Sequence, residues 1–136
     1  MWGQRLIWIL LLFVDSGQAD SIKSKGYELS YTAFPTVDIP QDLAARHQIP
    51  RSDKLIAINI NANHNGVSKK ISVSGVSRGL IQGWSSLVFE EIRESDAIYY
   101  FAIKEAGEQD FLSFDLRVIL PNGEEIPLKF VRRYDG

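Results

Sequence analysis

The side chains that could do chemistry are few. The chain of 136 residues has two histidines, His47 and His64, and no cysteine. A zinc centre needs three or four His, Cys or acidic ligands at close spacing, and neither histidine has a helical i, i+4 partner, so no His-based metal site is expected. His64 stands in Asn63-His64-Asn65-Gly66, a turn composition, and reads as a solvated turn histidine. A hydrolase nucleophile would need a sharp strand-to-helix elbow. No G-x-S-x-G occurs, and Ser74-Gly75 lies inside a strand pattern. No glycine loop of the phosphate-cradling type is present either. Acidic pairs occur at Glu90-Glu91 and at Glu94 with Asp96. Acid–base pairs of the glycosidase kind face each other across a cleft, whereas neighbouring strand residues point to opposite faces, so these carboxylates read as a solvated face. Asn59, Asn61 and Asn63 share one side of a strand, either as an amide ladder for a sugar or peptide or as the wet side of a sheet; the wet side is the expectation.

With catalysis poorly supplied and no cofactor implied, recognition is the remaining chemistry. Arg51, Trp84 and Tyr99 are the candidate contacts, because Arg, Trp and Tyr dominate interface hot spots. The plain alternative for each is ordinary packing or surface placement.

These residues need a scaffold and a compartment. Residues 1–19 hold one positive side chain, Arg5, an apolar run from Leu6 to Val14, and Gly17 and Ala19 where signal peptidase requires small residues. That pattern reads as a cleaved secretory signal, since nine apolar residues fall well short of the ~20 that cross a bilayer. Residues 20–136 are then one exported domain, with no membrane span expected. Fifteen Lys and Arg against seventeen Asp and Glu leave a net charge of −2, which offers nucleic acid no basic face. Without disulfides, the core must hold by packing.

Alternation of apolar and polar residues places strands at 27–33, 54–61, 70–77, 97–103, 112–120 and 126–130, with a further one around 87–92. Residues 20–26 read as a frayed lead-in. Residues 35–52 form a crossover loop whose QDLAAR, just inside Pro40, predicts a helix of one or two turns. In strand 54–61, Ile56, Ile58 and Ile60 point inward while Ala57, Asn59 and Asn61 point outward. Bulges are expected at Gly75 and at Glu90-Glu91, where the alternation slips. Residues 84–120 read as three consecutive strands of an antiparallel meander. Ala97 to Ile103 is apolar on both faces, as a central, doubly covered strand would be. Asn122-Gly123 marks a tight hairpin turn, and Pro127 confines the last strand to an edge. About seven strands, little helix and no βαβ rhythm predict an all-β, antiparallel immunoglobulin-like sandwich.

Ser95 to Ala102 echoes the D-x-A-x-Y-Y-C-A pattern of antibody variable domains, but Phe101 replaces the cysteine and no core Trp and Cys precede it. A fuller likeness is carried by GYELSYTAF from Gly26, IPRSDK from Ile49, FEEIRESDAIYY from Phe89 and LSFDL from Leu112. This combination resembles the family catalogued as domain of unknown function 4426, small exported proteins of Gram-negative bacteria, over nearly all of residues 20–136. One departure is Gly26-Tyr27, where an acidic residue is expected between the two. The resemblance implies a periplasmic β-sandwich and brings no catalytic residues with it.

The leading functional reading is therefore a non-catalytic periplasmic module that binds an envelope protein or peptide, by an edge strand or aromatic face. The rival is a small-ligand carrier or unrecognised enzyme with a pocket between the 35–52 loop and the sheet. Self-association in a structural role is a third.

Overall fold

In a computed structural model, the chain is described at residues 20–107 and 109–135. The expected signal segment, residues 1–19, lies outside the described residues. Ten strands form among them: β1 (Asp20–Ser24), β2 (Tyr27–Pro35), β3 (Leu55–His64), β4 (Val67–Ser68), β5 (Ser72–Arg78), β6 (Ser85–Leu87), β7 (Glu90–Glu94), β8 (Ala97–Glu105), β9 (Asp110–Ile119) and β10 (Glu125–Tyr134). One helix, α1 (Gln41–Arg46), follows a short 3-10 turn at Thr36–Asp38. Two antiparallel sheets make a sandwich. The larger runs β1-β2-β3-β8-β7 with β4 paired to β3, and the smaller runs β10-β9-β5-β6.

Alternation along the strands builds the core. Ile56, Ile58 and Ile60 of β3 face Leu112, Phe114, Leu116 and Val118 of β9 in one cluster. Within it Phe114 stacks on Phe130 at 4.8 Å between ring centroids. β9, with its faultless alternation, pairs β10 along its whole length and buries every second side chain. Pro127 sits in β10, which is the edge of the smaller sheet, where a missing N–H costs no ladder bond.

Several sequence expectations are corrected. Residues 20–24 are an edge strand paired to β2 rather than a frayed lead-in; Lys25 and Gly26, both at positive φ, turn the chain tightly enough to pair it. Seven expected strands become ten through β1, β4 and β6. No bulge occurs at Gly75: the β5–β9 register runs unbroken from Ser72 to Arg78. A Cβ there would stand 2.6 Å from the Asp115 carbonyl, so the inward apolar position is filled by Leu116 leaning across. At Glu90-Glu91 the alternation slips because the chain changes sheets, from β6 in the smaller to β7 in the larger. Residues 84–120 are consequently no meander; β7–β8 and β9–β10 are hairpins in different sheets. His64 belongs to β3 rather than to the turn, which Asn65 and Gly66 make with φ of 53° and 80°. It lies 4.7 Å from the Tyr27 ring.

The largest correction concerns the outer face of the larger sheet. Asn59 and Asn61 are each only 4% exposed, so this is no wet side. Asn61 donates to Ser68 Oγ and to the Ile98 carbonyl, and Asn63 donates to Asn61. Further along, a second cluster of Phe34, Ala57, Tyr99 and Phe101 is capped by Ile39, Leu43, Ala44 and Ile49. The crossover loop is this sheet's third layer, which is why β8 is apolar on both faces.

Candidate functional site

Residues 36–52 are tied down as one unit. Pro35 ends β2, and Thr36 donates to the Ser52 carbonyl while accepting from its N–H at 2.8 Å. Arg51 forks onto the loop's own backbone, its Nε donating to the Ile39 carbonyl and its terminal nitrogen to that of Val37, each at 2.8 Å. α1 closes with a Schellman pattern: Ile49 N–H reaches the Ala44 carbonyl at 2.8 Å, and Gln48 N–H reaches that of Ala45. Gln48 takes the left-handed position with φ of 56°, where glycine is usual.

Between this loop and the sheet lies a pocket of about 150 Å³. Its floor is Ile92, Tyr99 and Phe101 from β7 and β8, and its roof is Ile39, Leu43 and Ile49 from the loop. Apolar cavities of about this volume accept a benzene-sized group. One side is charged. Glu94 holds His47 Nε2 at 2.7 Å through one oxygen and Arg46 through the other, so its carboxylate pins the end of α1 to β7. Arg46 also stands 3.9 Å from Asp42.

Tyr99 is the chemical oddity of the pocket. The residue is 4% exposed, yet its hydroxyl makes no hydrogen bond within the protein. Burial, with the Glu94 charge second, pushes its pKa well above the ordinary phenol value. The hydroxyl is thus a neutral, desolvated donor and acceptor, left over between the apolar floor and the charged side of the pocket.

Of the sequence-derived candidates, only Tyr99 lies in this pocket. Arg51 serves the loop's carbonyls outside it. Trp84 is 52% exposed at the far sheet, with the Arg78 guanidinium 5.1 Å above its ring. Near it, an open groove of about 660 Å³ runs past Asp53, Leu80, Ile81, Asp110 and Tyr134. Asp110 is there ionised: burial alone would raise its pKa, but the N–H groups of Gly107, Leu80 and Phe111 hold it below the usual value. The grouping of Arg46, His47 and Glu94 escaped sequence reasoning, which took Glu94 as solvated. The available signal was a strand apolar on both faces followed back to a loop rich in Ile, Leu and Ala, two surfaces that must cover each other. Among the described residues no three His, Cys, Asp or Glu side chains gather to hold a metal, and no helix is long and apolar enough to cross a membrane.

The family model of Domain of unknown function (DUF4426) matches residues 22–134. The chain belongs to this family. A solved DUF4426 family protein of Pseudomonas aeruginosa PAO1 is similar in structure, with a TM-score of 0.75 at 19% identity over 85% of this chain and 94% of that one. A copper-bound variant of FetP from uropathogenic Escherichia coli strain F11 matches with a TM-score of 0.59 at 11% identity, over 88% and 96%. At such identities the likeness shows the shared fold alone. Comparison with the curated proteins finds no match. For this DUF4426 chain, function must be argued from the pocket.

Proposed function

We propose that this protein is a non-catalytic binding module of the periplasm, whose ligand places a compact apolar group with one hydrogen-bonding end in the pocket between the 36–52 loop and the larger sheet. The observation that carries the reading is the unpartnered, buried hydroxyl of Tyr99 in a pocket whose floor and roof are mainly apolar. Ligand sites combine an apolar lining with few, well-placed polar groups, and a buried polar atom without a partner is costly unless something satisfies it. His47 and Glu94 could in principle move protons. Both are occupied in holding α1 against β7, which favours binding over catalysis. The leader-like residues 1–19 support export.

The test uses p-cresol and toluene, equal in shape and different in one hydroxyl. A ligand that binds only the folded state raises its melting temperature. The expected result is a higher melting temperature with both, a larger one with p-cresol, and loss of that difference in Tyr99→Phe. No shift with either, and no change in the NMR signals of Ile92 and Phe101, would sink the reading.

A second reading is favoured by the segment 80–88, where Leu80, Ile81, Trp84 and Val88 are all exposed. Exposed large apolar side chains close together in the chain suit a contact site, and Trp84 would there meet another protein or a second copy. Mass that rises with concentration in solution would identify the second copy.

A further inference from the structure

We infer that the pocket's ligand is one side chain of an extended, basic peptide that adds to the sheet along β7; this rests on the pocket reading above. β7 is the last strand of the larger sheet and pairs only with β8 among the described residues. One row of its backbone N–H and C=O groups therefore faces outward, unpaired. Such an edge is where an extended chain is recognised: main-chain bonds give affinity and a pocket for an alternate side chain gives specificity.

Three observations converge on this edge. Ile92, in the middle of β7, is part of the pocket floor, so the pocket reaches the sheet's outermost strand. On an added strand, every second side chain would lie on the same face as Ile92, and one of them would stand beside the pocket. The second observation is the Tyr99 hydroxyl, which asks for a polar tip on that side chain, as a tyrosine has. Charge supplies the third. Glu91 is taken by Arg93 at 3.1 Å and by Tyr100 at 3.0 Å, and Glu94 by Arg46 and His47. Glu90 has no ion pair among the described residues and shares the face of Ile92, two residues away. The strand added there would carry a lysine or arginine two residues from its anchor. The same charges guard the edge: a short, charged strand resists indiscriminate pairing and admits a partner of complementary sign.

The experiment uses a peptide blocked at both ends, Lys-Thr-Tyr-Thr-Lys, palindromic so that either strand direction brings a lysine beside Glu90. A second copy of it carries methyl groups on every internal amide nitrogen, and p-cresol stands for the anchor alone. Binding is followed by NMR on the labelled protein. The expected result is shifts at Glu90 to Glu94 as well as at Tyr99, with the peptide binding at least about tenfold more tightly than p-cresol. Methylation should return it to the level of p-cresol. Glu90→Gln should weaken it by about threefold and flatten its salt dependence. Equal binding of the methylated and parent peptides would overturn strand addition. Binding of p-cresol without any gain from the peptide would overturn this inference and leave the pocket reading standing; binding of neither would remove both.

Discussion

Tyr99 shows most plainly how a single atom can point to function. An unsatisfied buried hydroxyl costs about 1–3 kcal/mol, and here it is retained at the floor of a pocket. Replacing it by the isosteric Tyr99→Phe is expected to stabilise the unliganded protein by about 1 kcal/mol, read as a higher urea midpoint with unchanged slope. A lower midpoint would show that the hydroxyl is satisfied in solution. The pH dependence follows from the same burial. In the unfolded chain the phenol titrates near its ordinary value of about 10, whereas in the folded chain burial and Glu94 raise it. The folded state therefore keeps a proton that the unfolded state loses, and stability is full below about pH 10 and falls as pH rises beyond it. Tyr99→Phe should lessen that alkaline fall, measured by urea titrations at about pH 9 and 11; Tyr100 and Tyr134, also raised by burial, keep part of it. Gly75 is a second residue whose identity is dictated by contact. The Asp115 carbonyl and the Leu116 side chain occupy the space of a Cβ, so Gly75→Ala should cost about 1–3 kcal/mol by overpacking, visible in the same urea midpoint.

At the scale of elements, the 36–52 loop behaves as a third layer because its few polar anchors are well made. Arg51→Ala removes two charge-assisted bonds to the Val37 and Ile39 carbonyls and should cost about 1–3 kcal/mol. Hydrogen exchange should locate the loss: the Val37 and Ile49 amides speed up while those of β9 stay protected, and uniform acceleration would refute a local role. Gln48→Gly, by contrast, should leave the Schellman turn intact, relieving a left-handed side chain at the price of a freer unfolded backbone. Elements whose pattern is local were legible in the sequence. The helix at Gln41–Arg46 follows from Pro40 and a run of good helix formers, the turns at Asn65-Gly66 and at Gly123 from the tolerance of those residues for positive φ, and β9 from unbroken alternation. What stayed hidden depends on partners distant in the chain. Asn59 and Asn61 look solvent-facing by period alone, and only Ser68, the Ile98 carbonyl and the covering layer make them interior. The slip at Glu90 looks like a bulge because a change of sheet and an extra residue leave the same trace in one sequence. Glu94 looks like a solvated acid until α1 brings Arg46 and His47 to it.

On the scale of the whole molecule, the two long sides of the sandwich differ. Along one, β1 is stitched to β10 by Arg132 to Asp20 at 2.9 Å and to the turn before β10 by Ser24 to Glu124 at 3.1 Å. Along the other, β6 is a three-residue strand and Lys104 reaches Ser85 at 3.0 Å, leaving β7 and the segment 80–88 as the less tightly closed side. That segment is anchored by few groups. Leu87 is 8% exposed and inserts into the core, whereas Ile81 is 98% and Leu80 68% exposed. The two kinds of position should separate cleanly. Leu87→Ala leaves a cavity between the sheets and should cost about 2–5 kcal/mol. The double change Leu80→Asp with Ile81→Asp touches nothing buried, so the urea midpoint should move by no more than about 0.5 kcal/mol. It should also abolish any concentration-dependent rise in mass, since two carboxylates would then occupy the apolar tip. If the double variant unfolded as readily as Leu87→Ala, the segment would be part of the core in solution and not a surface held out for contact.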